Sequence, residues 1–226
     1  MRISVLLSPA GAVVGGPCAV IVDVLRATTT LTVALAHGAQ RVIPIATPAE
    51  ALALRDRQPD TLACGERDGR MVPGFDLGNS PFEFTAERVG GKTLAFASTN
   101  GSRAMLSARD ARRRVLAAFV NARAVVEAVR GEREVVIVCA GKLGRFSLED
   151  AACAGLLIAR LEPHGASPAN PAARLARALA PRDADETRAL VAGAAHARDL
   201  ASMGSAYARD LEFCAGLDTV DRAFAV

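Results

Sequence analysis

Tryptophan is absent from the chain, aromatic residues make up only 4% of it, and lysine occurs only at Lys92 and Lys142. So little aromatic surface leaves no platform for stacking bases. The cationic charge is almost all arginine, scattered except for one run at Arg112, Arg113 and Arg114, so the net charge of +3 gathers into no basic face and nucleic acid is not an expected partner. The five cysteines, Cys18, Cys64, Cys139, Cys153 and Cys214, contain no CxxC pair and no zinc-like spacing. An odd number of thiols set in apolar patterns suits a reducing cytoplasm better than a disulfide framework. No uncharged apolar segment is long enough to span a membrane. The apolar run near the start is broken by Pro9, too early for a secretion signal. These absences point away from nucleic acid and membranes, toward a cytoplasmic protein with a small partner.

What the chain does have is apolar content, 51% of 226 residues with a mean hydropathy of +0.23, enough for one large α/β domain or two small ones. Continuous β-branched runs such as Ala19 to Val24 mark strands covered on both faces, as in a parallel sheet. Strands are expected at Ile3 to Leu7, Arg41 to Ile45, Thr61 to Cys64, Thr93 to Ala97, Arg114 to Phe119 and Glu134 to Cys139. Helices fill most of the intervals; Thr47 and Pro48 are a cap and first-turn proline for one of them. Set side by side, the segments around DVLRATTT and ASTNGSRA, and around ACGERDG and CAGKLGR, show a weak repeat of strand, polar turn, helix, strand, helix, strand and Gly-rich loop. The expected architecture is a three-layer α/β/α fold with two similar halves, 1–90 and 91–162, around a shared cleft. Residues 163–226 add a C-terminal helical segment, including one helix over Ala184 to Leu200, packed on the core or against a second copy in a homo-oligomer.

The segment Cys64 to Pro81, CGERDGRMVPGFDLGNSP, stands apart. A connection of this length is usually functional or disordered, and Met71, Val72, Phe75 and Leu77 supply anchors that a disordered segment lacks. Folded, it would carry Glu66, Asp68, Asp76 and Asn79 to one point, and oxygen side chains are what a hard cation takes. Asp23 sits near the C-terminal end of its strand, where open α/β sheets hold ligands. With Glu149 and Asp150 these are the acidic candidates; Arg26, Arg67, Arg103, Lys142 and Arg145 are the basic ones. Such a mixture suits a divalent metal and a polyanion held together, and phosphoryl transfer needs mainly positioning and charge neutralisation. A second route is written in the same region: Cys139 and Arg145 have the spacing of cysteine-dependent phosphatases. His196, among alanines, reads as a partly buried helix residue, and His37 as a helix C-cap.

Taken together in order, VIVDVLRATTT, GERDGRMVPGFDLGNSP, STNGSRA, VCAGKLGRFSLEDAACAG and DLEFCAGLD closely resemble the 2-phosphosulfolactate phosphatase family over nearly the full chain. The resemblance implies a cytoplasmic phosphatase that hydrolyses (R)-2-phospho-3-sulfolactate with Mg2+ as cofactor, on a route to coenzyme M. It further implies Asp23, Glu66 and Asp76 as catalytic or metal-binding groups, with Glu149 and Asp150 also near the metal. Arg26, Asn79, Thr99, Asn100, Gly101, Gly141, Lys142 and Arg145 would then hold a small polyanionic phosphoester. Asp68 and Lys142 depart from the family pattern, so an anion-binding domain without turnover remains an alternative.

Overall fold

The computed structural model describes residues 1–9 and 11–226. Strand β1 (Arg2–Leu6) precedes β2 (Gly15–Gly16) and β3 (Ala19–Val22), and α1 (Ala27–Ala36) leads to β4 (Arg41–Pro44), α2 (Pro48–Arg57), β5 (Thr61–Arg67) and β6 (Arg70–Met71). After the short α3 (Ala86–Val89) come β7 (Thr93–Ala97), α4 (Gly101–Ser107), β8 (Asp110–Ala111), β9 (Arg114–Ala117), α5 (Ala122–Val129), β10 (Glu134–Cys139) and α6 (Leu148–Leu161). The remainder holds β11 (Ser167–Pro168), α7 (Pro171–Ala178), α8 (Ala184–Gly193), α9 (Ala195–Ala201), α10 (Ser205–Cys214) and β12 (Phe224–Ala225).

The larger sheet has the order β11-β1-β10-β3-β9-β12, parallel except for β12 at its edge. A second sheet has the order β4-β7-β5-β6, with only the hairpin strand β6 antiparallel. Side chains of a strand alternate between its faces, and both faces of β3 are covered: Val20 and Val22 pack with β10 and α6, whereas Ala19 and Ile21 pack with α1 and α4. Leu94 and Phe96 of β7 meet the same two helices from the other side. Each sheet is therefore the middle of an α/β/α sandwich, and α1 and α4 are the layer the two share.

The two repeated halves do not make separate sheets. Strand β3 of the first lies between β10 and β9 of the second, while β7 of the second lies between β5 and β4 of the first. Exchange of the opening strands brings the C-terminal ends of β3 and β7, and the starts of α1 and α4, together at the centre of the molecule. The two turns are built alike. The Asp23 N–H donates to Thr28 Oγ1 at 2.9 Å and the Ser98 N–H to Ser102 Oγ at 2.8 Å. Gly101 is needed at this meeting point, because a Cβ there would lie 2.5 Å from the Ala27 Cβ and 2.7 Å from Asp23 Oδ2.

Local signals account for most boundaries. Thr47 and Glu50 exchange side-chain and backbone hydrogen bonds at the start of α2, a reciprocal cap whose loss costs ~1 kcal/mol. His37 closes α1 and its Nδ1 lies 2.7 Å from the Phe84 carbonyl. Strand β5 runs three residues beyond Cys64 and turns back as β6, so the long connection begins as a hairpin. Before that hairpin, β5 lies close against β7: Gly65 has φ +131° and a Cβ there would be 2.0 Å from the Ala97 carbonyl oxygen. The single helix expected over Ala184 to Leu200 is two, α8 and α9, because Ala194 is extended (φ −68°, ψ 143°) and redirects the chain. That break packs Val191, Ala194, Ala197 and Leu200 on the same core as the large sheet. Among the described residues, no helix is long and apolar enough to cross a membrane.

Candidate active site

The ends of β3, β5, β7 and β10 open into a cavity of about 210 Å³ lined by Asp23, Arg26, Glu66, Asp68, Asn79, Thr99, Asn100, Lys142 and, from α9 and its C-terminal end, His196, Asp199, Leu200 and Met203. Eight of the residues singled out from the sequence are thus brought together: Asp23, Arg26, Glu66, Asp68, Asn79, Thr99, Asn100 and Lys142.

Glu66, at the end of β5, is fixed by three donors. The Thr99 N–H reaches Oε1 at 2.7 Å, and the Gly69 N–H and the Thr99 hydroxyl reach Oε2 at 2.8 and 3.2 Å. Asp23 is 5% exposed and takes only a long contact, 3.4 Å, from the Ala27 N–H. Burial pushes its carboxyl up to about 7, with His196 opposing the rise and Glu66 adding to it. Asn79 is held through its carbonyl by the Thr30 hydroxyl at 3.0 Å, and its buried Oδ1 has no hydrogen-bond partner among the described residues. An orphaned oxygen of this kind calls for a ligand or an ion.

Cationic groups in the cavity are already engaged. Arg26 pairs with Asp210 of α10, donates to the Gly69 carbonyl at 2.9 Å, and lies over the Tyr207 ring. Lys142 pairs with Asp199, and the next residue's N–H donates to Asn100 Oδ1 at 2.9 Å. Behind the cavity, Asp150 accepts the Val24 N–H at 2.8 Å and the Gly141 N–H at 3.0 Å, tying α6 to the loops after β3 and β10. Burial and the neighbouring Asp23 and Glu149 push its carboxyl well above the usual range.

Seven expected site residues lie elsewhere or serve differently. Asp76 does not line the cavity: its Oδ2 accepts the Ala63 N–H at 2.8 Å and lies 3.9 Å from Arg55, which makes it a brace for β5. Arg145 is exposed, its backbone closing a turn with Lys142, so its guanidinium is not part of the cavity wall. Glu149 is directed to His196, with Nδ1 3.2 Å from its Oε1, and Asp150 spends both oxygens on backbone amides. Cys139 is fully buried and outside the cavity, and burial, then Asp150, pushes its thiol well above the usual value. A thiolate nucleophile needs the opposite setting. Gly101 and Gly141 shape the surrounding turns without lining the cavity.

The model of one family, described as 2-phosphosulpholactate phosphatase, matches residues 7–225. The chain belongs to the 2-phosphosulpholactate phosphatase family. It is 39% identical over 209 residues to a probable 2-phosphosulfolactate phosphatase of Thermotoga petrophila, covering 89% of this chain and 88% of that protein. Proteins with the same name from Symbiobacterium thermophilum and Gloeobacter violaceus are 41% and 40% identical, over 91% and 97% of this chain and 89% and 93% of theirs. Members of this family are phosphoric monoester hydrolases, and the chain is an enzyme of that class.

Most cavity residues that sequence reading did not place in the site come from the C-terminal helices: His196, Asp199, Leu200 and Met203, with Tyr207 behind Arg26. Their spacing, i, i+3, i+4 and i+7 for the first four, puts two polar groups on the same helical stripe as two apolar ones. That mixed stripe was the available signal.

Proposed function

We propose that the chain hydrolyses (R)-2-phospho-3-sulfolactate, or a closely related small 2-phospho acid, to the 2-hydroxy acid and phosphate with Mg2+ as cofactor. Where coenzyme M is made, the reaction sits on a route to it. The observation that carries this reading is the pairing of buried oxygen donors, Asp23, Glu66 and the orphaned Asn79 Oδ1, with Arg26 and Lys142 in one small cavity.

The donor chemistry fits Mg2+. Among the described residues, no three His, Cys, Asp or Glu side chains form a ready metal cage, and Mg2+ is usually held by one or two carboxylates with waters and substrate phosphate completing its shell. The charge balance points the same way: Asp23, Glu66, Asp68 and Asp199 outnumber Arg26 and Lys142, so a polyanion needs an added cation to enter. Asp23 and Glu66, with Asn79, would hold the ion, which when bound supplies positive charge to the phosphoryl oxygens. Glu66 is preorganised for this by its three donors. Arg26, locked by Asp210 and Tyr207, faces the anionic ends of the substrate, and Lys142 is placed to exchange Asp199 for a substrate oxygen. Leu200 and Met203 give the cavity an apolar wall.

The test is phosphate release from 2-phosphosulfolactate, 2-phospholactate and phosphoglycerate, with Mg2+ and with EDTA. Mg2+-dependent turnover that prefers the sulfonate supports the proposal. Ligand-induced thermal stabilisation without phosphate release would favour the anion-binding alternative, and turnover undiminished by EDTA would overturn the metal assignment.

A further inference from the structure

The oxygen released when a phosphate monoester of a 2-hydroxy acid is cleaved leaves as an alkoxide unless something protonates it. An alkoxide is a poor leaving group, and a positioned proton donor is worth about 10² to 10⁴ in rate. Arg26 does not give up its proton, and Lys142, which can leave Asp199 for a substrate oxygen, serves as a cation and not as a proton donor. His196 remains. It stands in the first turn of α9 and lines the same cavity as Asp23. Its Nδ1 faces Glu149 Oε1 at 3.2 Å, and Glu149 is 1% exposed, so the carboxylate is turned to this ring and away from solvent. Nε2 is not engaged by any of the described residues.

We propose that His196 is the proton donor to the leaving oxygen, and that Glu149 is the positioning residue that fixes the ring and its tautomer. The inference rests on the phosphatase reading. In the step, water bonds to phosphorus and releases its proton to solvent while the bond from phosphorus to the C2 oxygen breaks. The electron pair stays on that oxygen, which takes the proton from His196 Nε2; the ring is reprotonated from solvent. Burial pushes Glu149 up, but the hydrogen bond and charge of His196, together with its own backbone N–H and Ser147, outweigh it and hold the carboxyl below its usual range. An ionised Glu149 accepts from Nδ1–H and offsets the charge of the doubly protonated ring, whose Nε2–H then faces the cavity as the proton to be given. The same logic, a carboxylate behind a histidine that works with its far nitrogen, operates in hydrolytic triads.

The experiment compares wild-type protein with His196→Gln, His196→Asn and Glu149→Gln on two esters, with Mg2+ present. One is 2-phosphosulfolactate and the other 3,3,3-trifluoro-2-phospholactate, whose leaving alcohol is far more acidic and needs little protonation. Circular dichroism and melting curves establish which variants fold. For His196→Gln or His196→Asn, kcat on the sulfolactate ester is expected to fall about 10² to 10⁴-fold with little change in KM, and far less on the trifluoro ester. Glu149→Gln should show the same selectivity at smaller size. A fall of less than about tenfold on the sulfolactate ester, or an equal fall on both esters, overturns the proton-donor role. Failure of the wild-type protein to release phosphate from either ester overturns the phosphatase reading, and the role of His196 with it.

Discussion

Arg26 and Asp210 form an ion pair across 184 positions of sequence with side chains only 5% and 3% exposed, joining the loop after β3 to α10. Ser80 adds a hydrogen bond to the second Asp210 oxygen at 2.6 Å, so the carboxylate is spent on holding other groups. Asp210→Ala should cost about 3–5 kcal/mol, because it leaves a guanidinium buried without its counter-charge. The double variant Arg26→Met with Asp210→Leu should be less destabilised than either charge-stranding single. Urea unfolding midpoints of the four proteins measure this directly, and additive losses would show the two residues uncoupled.

Asp23 predicts a pH dependence with a definite sign. Its carboxyl rises from 3.8 to about 7 on folding, so the folded state binds the proton more tightly, and the associated stability is complete below about pH 4 and lost as pH rises through 7. Asp23→Asn removes that loss. In EDTA the variant should melt several degrees above the wild-type protein at pH 8 and level with it near pH 4. Mg2+ should raise the wild-type melting temperature at pH 8 and leave the variant unmoved. Turnover should be lost. A variant less stable than wild type at pH 8 would mean Asp23 is stabilised in its charged form.

The sequence marks the first part of this site well and the second part poorly, for physical reasons. Asp23, Glu66, Thr99 and Asn100 end strands whose apolar runs are unmistakable, and parallel strands deliver their C-terminal ends to one side. The exchange of β3 and β7 between halves is invisible locally, since a buried parallel strand has the same composition in either sheet. Asp76 has the same local look as Glu66 yet turns its oxygens to a backbone amide. His196, Asp199 and Asp210 come from helices whose pattern is satisfied by packing, and only the fold shows that one end of that packing is a cavity wall. The two-helix break at Ala194 was hidden because alanine is a good helix former; tertiary packing decides its conformation.

Cys139 separates two chemistries. Cys139→Ala should leave Mg2+-dependent turnover within about twofold and cost ~1 kcal/mol of stability, the price of a small void in a packed core. Alkylating reagents should not inactivate the native protein, because the thiol is inaccessible and protonated at neutral pH. Loss of turnover in a folded Cys139→Ala protein would restore the thiol route.

Gly101 tests whether the meeting of α1 and α4 is part of the catalytic geometry. An alanine methyl there would press on the Ala27 Cβ at 2.5 Å and on Asp23 Oδ2 at 2.7 Å. Both gaps are well inside contact distance, so the helices must part or Asp23 must turn. Overpacking of this kind costs about 1–3 kcal/mol. A displacement near 1 Å at a reacting group costs about 10² in rate. Gly101→Ala should therefore fold with a lowered melting temperature and lose about a hundredfold in kcat. Adding Ala27→Gly relieves the helix contact but not the contact with Asp23. The double variant should recover part of the stability while its kcat stays low, and recovery of rate together with stability would place the effect in helix packing instead of at the Asp23 carboxylate.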